Sequence, residues 1–132
     1  MLFVTALAAA ALALLNLRLT VDVIRLRKSR RVGIGDGEDA EIARAVRAHA
    51  NLVEHAPLAL ILMACLELNG GTNWLLVPLA AAFVAGRAMH ARGIARSSGV
   101  SRDRTVGMHL TLWPTLALAV VNVVQALRAA IG

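Results

Sequence analysis

MLFVTALAAAALALLNLRLTVDVIRLRKSRR, residues 1–31, is the stretch that decides the fold. From Leu2 to Ile24 it is apolar apart from Thr5, Asn16, Arg18, Thr20 and Asp22, and it closes in Arg25, Arg27, Lys28, Arg30 and Arg31. A helix needs about 20 mostly apolar residues to cross the hydrocarbon core of a bilayer. A run of that length ending in a cluster of bases reads as a membrane span whose last turns reach the water. No positive charge precedes the apolar run, so the segment is expected to be a retained first span and not a cleaved leader.

Three more spans follow. The loop VGIGDGED, residues 32–39, carries three glycines and three acids. Glycine interrupts the first helix, and Asp36, Glu38 and Asp39 suit the start of the second, where the helix dipole favours negative charge. The second segment begins polar near Glu41, turns apolar from Ala56 to Leu68, and ends at Asn69-Gly70-Gly71, followed by Thr72 and Asn73. The third runs from Trp74 to about Ile94. After ARSSGVSRDR, residues 95–104, the fourth covers Thr105 to Leu127, with Pro114 as an expected kink. The reading is one all-α domain over residues 1–132, an integral membrane four-helix bundle with spans at about 2–27, 42–69, 73–94 and 104–128. The composition agrees: 58% of residues are hydrophobic, against about 45–50% in an ordinary soluble domain.

Charge placement orients the bundle. Twelve of the 14 Lys and Arg flank the first and third loops, and the loop between spans two and three has none. The positive-inside rule puts the first and third loops in the cytoplasm and both termini outside. A face this basic also suits anionic lipid. The net charge of +6 is not accompanied by an RNA-binding motif or an aromatic-interleaved basic stripe, so nucleic acid is not an expected partner. The His and acidic residues show no metal-ligand spacing, and the lone cysteine, Cys65, reads as a small core residue.

Charged groups inside spans are costly and mark sites by default. Arg18, Asp22 and Arg25 recur at i, i+4 and i+7 on one helix face; they are either an internal salt bridge or part of a site. Arg44, Arg47, Asn51 and Glu54 point within an arc of about 80° on span two. Two guanidiniums, an amide and a carboxylate on one face suit a zwitterion, with Arg for its carboxylates and Glu for its ammonium. Arg87 and His90 share a face of span three. At Arg104-Thr105 an opening helix offers free N–H groups, a guanidinium and a hydroxyl, a combination that stabilises an anion such as a thiolate. His109, Asn122 and Gln125 read as hydrogen-bonding groups between helices.

These segments together resemble the MAPEG superfamily, the membrane-associated proteins in eicosanoid and glutathione metabolism. Arg44-x-x-Arg47-Ala48-His49-x-Asn51-x-x-Glu54-x-x-Pro57 is similar to the family's second-helix signature. Arg25-Leu26-Arg27-Lys28 resembles the basic end of its first helix, and Gly86-Arg87-x-x-His90-x-x-Gly93 its third-helix motif. Arg104-Thr105-Val106-Gly107-Met108, with Thr111 one turn on, looks like the fourth-helix start of small bacterial members.

The resemblance implies a homotrimer in a bacterial inner membrane, with glutathione as co-substrate bound between subunits near the cytoplasmic face. Helices one and two of one subunit would meet the start of helix four of a neighbour there. Carried onto this chain, Arg25, Asn51, Glu54, Arg87, His90 and Arg104 would bind the tripeptide. Arg104 and Thr105 would act on its sulfur. The implied reaction is transfer of glutathione, or of a similar thiol, to a small hydrophobic electrophile, or reduction of a lipid hydroperoxide. The alternative is a non-catalytic scaffold or lipid-binding protein that keeps the fold. Four positions depart from the family pattern. Ile94 and Met108 stand where active relatives often carry aromatic hydroxyls, and Ala43 and Leu52 where they carry acids.

Overall fold

The computed structural model describes residues 1–71 and 73–131, with the backbone alone at Asn73. Thr72, in the expected turn, and Gly132 lie outside the described residues. Four helices account for nearly all of it: α1 (Phe3–Arg30), α2 (Ala40–Leu68), α3 (Asn73–Arg96) and α4 (Arg102–Ile131). Each contains a stretch long and apolar enough to span a membrane. The expected all-α bundle is present, and no strand occurs among the described residues.

The helices overrun the expected span limits at their basic ends. α1 continues through Arg27, Lys28 and Arg30, whose charges complement the helix C-terminus. Arg31 then turns left-handed, at φ 59°. α2 starts at an Asp39 cap whose carboxylate accepts from the N–H groups of Glu41 and Ile42 at 2.8 and 3.1 Å. Those two amides, Ile42 first, hold the Asp39 carboxyl below the usual carboxylate range, with help from Arg30. α4 opens at Arg102, not at Arg104, because the Ser101 hydroxyl accepts from the Arg104 N–H at 3.3 Å and starts the helix two residues early.

The first turn of α1 has no local cap and no acid. Its free N–H groups at Val4 and Thr5 are met instead by Glu67, from the far end of α2, at 2.9 Å each. The Thr5 hydroxyl donates to the same carboxylate at 2.7 Å. A Glu67→Gln variant keeps one acceptor oxygen but loses the charge assistance. We expect it to cost about 1 kcal/mol. Thermal melts in detergent and faster hydrogen exchange at the Val4 and Thr5 amides would register it.

α2 and α3 form the centre. α1 packs on both from one side and α4 on both from the other, and α1 and α4 do not touch. The core is built of Leu12, Leu19, Ile42, Leu52, Met63, Leu76, Phe83 and Leu118. α3 and α4 approach most closely, at glycines. A Cβ on Gly107 would lie 2.6 Å from the His90 nitrogen and 2.8 Å from the Gly86 oxygen. Small residues admit this backbone-to-backbone contact, the usual means of helix association in lipid. Outside, the bundle is apolar: Leu14, Leu17 and Ile24 on α1 and Trp113, Leu116 and Val123 on α4 are exposed. That is the polarity a lipid environment requires.

Cys65 corrects the sequence reading. It is exposed on the outer face of α2, not in the core. In a bilayer the outer face is also apolar, so a small apolar residue does not report burial. α4 runs as one helix through Pro114.

Candidate functional site

The centre of the site is a guanidinium. Arg87 on α3 is only 1% exposed and is among the largest fully buried side chains of the bundle. One of its nitrogens, Nη1, donates to the Asn51 side-chain oxygen at 2.8 Å and to the Asn51 carbonyl at 3.1 Å. Nε and Nη2 are buried without a partner. Asn51 is itself buried on α2, so the Arg–Asn pair joins the two central helices from inside.

Two histidines stand around this pair. His90, one turn beyond Arg87, places Nδ1 2.9 Å from the Arg104 carbonyl. His55, one turn beyond Asn51, places Nδ1 3.0 Å from the Asn51 carbonyl. A carbonyl only accepts, so each Nδ1 donates, and in the neutral ring each Nε2 is left as an acceptor. Glu54 lies close enough to Arg87 to act on it electrostatically, and Arg104 and His55 do the same at His90. The Glu54 carboxylate meets Arg47 Nη1 at 3.1 Å in an exposed pair.

The third-helix glycines have a packing role. A Cβ at Gly93 would fall 2.8 Å from the Arg104 backbone nitrogen, and one at Gly86 2.7 Å from the Leu110 Cβ. The glycines let the first turns of α4 lie against α3, which brings the Arg104 carbonyl within reach of His90.

The structure therefore brings together Asn51, Glu54, Arg87, His90 and Arg104, all at the end of the bundle that carries the first and third loops. Arg25 is not among them. It lies on α1 beside Asp22 and Glu41, lining a cavity of about 320 Å³ between α1, α2 and the end of α3. Asp22 forms no ion pair with Arg18 or Arg25 among the described residues, so of the two readings of that face the internal salt bridge is not formed. One turn of helix separates Asp22 from Arg18, but both side chains turn into the groove toward α3.

Two features of the α4 start differ from expectation. The Arg104 guanidinium is held by the third loop, Nη1 donating to the Ser98 and Gly99 carbonyls at 3.2 and 2.7 Å. Thr105 sits one turn inside the helix. Its N–H is bonded to the Ser101 carbonyl at 3.0 Å, and its hydroxyl donates to the same oxygen at 3.2 Å. The free N–H groups at this helix start precede Thr105. His55 lies off the Arg44–Glu54 stripe and is not among the residues that the sequence singles out. Its i+4 spacing from Asn51 was the available signal. Of the three groups expected to bridge helices from α4, Asn122 donates to the Leu62 carbonyl on α2 at 3.0 Å. Exposed His109 makes no such bond among the described residues, and the Gln125 side-chain oxygen is buried without a partner.

Fold and site thus define an integral membrane protein of four helices with a buried Arg–Asn–His group at its basic end. The chain belongs to the MAPEG family, whose pattern it matches over residues 5–124. It is similar to the inner membrane protein YecN of Escherichia coli, in strain K12 and in an O6:H1 strain. Each is 40% identical over 117 residues, which are 89% of this chain and 87% of the relative. With an inner membrane relative and four apolar helices, this is an integral protein of the inner membrane.

Proposed function

We propose that the protein binds glutathione, or a similar low-molecular-weight thiol, at the cytoplasmic rim and delivers its thiolate to a hydrophobic electrophile from the bilayer. The observation that carries this reading is the unfinished coordination of Arg87. A buried guanidinium with two unpartnered nitrogens lacks an anion, and a peptide carboxylate supplies the matching pair of acceptors. Glu54, at the exposed edge, suits the ammonium of the same zwitterion. His90 Nε2 and the Arg104 charge suit the sulfur, since the thiolate is the nucleophile and nearby positive charge favours it. Thr105 would turn its hydroxyl from the Ser101 carbonyl to the sulfur, exchanging one hydrogen bond for another. In conjugation the thiolate sulfur bonds to the electrophilic carbon, and either a leaving group departs from that carbon with its electron pair or a conjugated double bond opens and takes up a proton. In peroxide reduction two thiols become a disulfide while the hydroperoxide becomes alcohol and water.

The separation of Arg25 from the other candidate residues supports a trimer. A second copy, packing its α1 against the exposed side of α2 and α4, would bring its own Arg25 to the site. The apolar outer faces of α1 and α4 are compatible with such packing.

The test is isothermal calorimetry of glutathione with detergent-purified protein and with a Glu54→Ala, Arg104→Ala double variant. We expect saturable binding to the wild type and a loss of at least about tenfold in the variant, from two charge-assisted contacts. Equal binding by both proteins would sink the site assignment. Absence of binding to folded wild type would leave the second reading, a scaffold that keeps the family fold. The engaged Thr105 hydroxyl and the apolar Ile94 and Met108 favour that reading.

A further inference from the structure

The groove between α1 and α3 runs most of the length of the bundle and changes character along it. Near the start of both helices it is a purely apolar cleft of about 340 Å³, floored by Ala8, Ala11, Ala80 and Ala81. One turn further on both helices, from Leu15 and Ala88, it opens into a second cavity of about 340 Å³ lined by Arg18, Asp22, Arg92 and Arg96. The helices are parallel, and their groove positions keep step: Ala11 with Val84, Leu15 with Ala88, Arg18 with Arg92, Asp22 with Arg96. The result is one track with an apolar lower part and an ionic upper end.

The ionic end has two levels. Arg18 and Arg92 lie at the lower one. Arg18 has no ionic or hydrogen-bonding partner among the described residues, and Arg92 shares Asp103 with Arg96, through Nε at 3.4 Å and Nη1 at 4.0 Å. Asp22 lies one helical turn, about 5.4 Å, nearer the basic end, again with no ion pair among the described residues. An arginine and an aspartate left unpaired in a span each call for a counter-charge. From the bilayer centre outward, the groove therefore presents hydrocarbon, then the guanidiniums of Arg18 and Arg92, then the unpaired Asp22 carboxylate at the level of Arg96, whose own charge is met by Asp103.

We infer that this groove holds a membrane phospholipid whose headgroup carries a phosphodiester and a primary ammonium, phosphatidylethanolamine. The order of groups in that lipid is the order in the groove. The acyl chain lies on the alanine floor, the phosphate between Arg18 and Arg92, and the ammonium outermost on Asp22. From Arg18 to Leu7 is eleven residues of helix, about 16 Å, half the thickness of a hydrocarbon core. One leaflet's acyl chain fits that length. Asp22 selects the amine. Phosphatidylglycerol offers it no cation, and the trimethylammonium of phosphatidylcholine offers no N–H donor. The site is separate from the Arg87–Asn51 pair, so its test stands apart from the thiol reading.

The experiment is native mass spectrometry of the full-length protein, released from detergent after incubation with equimolar phosphatidylethanolamine, phosphatidylglycerol and phosphatidylcholine. Wild type is expected to retain phosphatidylethanolamine about tenfold over either competitor, the value of one charge-assisted hydrogen bond. Asp22→Asn is expected to lose the preference over phosphatidylglycerol, and Arg18→Gln to weaken retention of both phosphate-bearing competitors together with phosphatidylethanolamine. Ala88→Phe, which fills the middle of the groove from an exposed position, is expected to reduce retention of all three while the melting temperature and calorimetric thiol binding stay unchanged. Equal retention of the three lipids by wild type, or an undiminished preference in Asp22→Asn, would overturn the assignment. So would quantitative disulfide cross-linking between copies through Ala81→Cys in a Cys65→Ser background, since the groove would then be covered by a second chain.

Discussion

Gly107→Val is expected to unfold the α3–α4 interface, with a loss above about 3 kcal/mol, the upper end of overpacking costs. The reason is that the three nearest neighbours of the missing Cβ are all backbone. It would lie 2.6 Å from the His90 nitrogen, 2.8 Å from the Gly86 oxygen and 2.9 Å from the His90 Cα. A side-chain neighbour could rotate away. A backbone neighbour moves only if the helix moves. Separating α3 from α4 also breaks the bond between His90 Nδ1 and the Arg104 carbonyl, so the damage reaches the site. Gly107→Ala should show the same effect in smaller measure, about 1–3 kcal/mol. Gly33, with open space around its Cβ position, provides the control, and Gly33→Ala should leave the melt unchanged. The measurement is thermal unfolding in detergent, followed by helical circular dichroism and by Trp113 fluorescence. Melting of Gly107→Val at the wild-type temperature would mean that α3 and α4 do not pack this closely.

The four helices were legible because span length and terminal charge are strong local signals. The basic ends of α1 and α3 marked where spans leave the membrane, and the Gly-rich first loop marked a break. Helix limits were less legible. Ser101 moved the start of α4 by capping from a loop residue, and the bases after Ile24 continued the helix instead of ending it. The candidate site was legible where polar residues intrude on apolar spans, as at the buried Asn51, Arg87 and His90. Contacts across helices were not legible. Nothing in the spacing of Asn51 and Arg87 says that they bond to each other, nor that Glu67 caps α1 from the opposite end of α2. Cys65 shows the general difficulty. Periodicity separates two faces of a membrane helix only when one of them is polar, and most of α2 beyond Ala56 is apolar on every side.

An Arg87→Met, Asn51→Leu double variant is expected to be at least as stable as the wild type and unable to bind thiol. Arg87 is a buried cation with one nitrogen satisfied and two not. Burying such a charge carries a desolvation cost that its contacts with Asn51 only partly offset. Replacing buried ionic groups with apolar residues of similar volume is often neutral or stabilising, by about 1–4 kcal/mol. The single Arg87→Met variant behaves differently. It strands the Asn51 side-chain oxygen in the core, at about 1–3 kcal/mol for an unsatisfied buried acceptor. Asn51→Leu alone is worse, because it removes the side-chain acceptor at 2.8 Å and leaves the guanidinium with the Asn51 carbonyl as its one remaining partner. The cycle should therefore show both singles below wild type and the double at or above it, a coupling that distant sites do not produce. Thermal melts give the four stabilities, and calorimetry with glutathione gives the four affinities. A pair kept for binding loses affinity in all three variants whatever their stability. A pair kept for structure gives the reverse pattern, with the double variant the least stable of the four and thiol binding unrelated to Arg87. The two patterns are opposite in the same four proteins, so the cycle decides whether the unfinished coordination of Arg87 exists for a ligand.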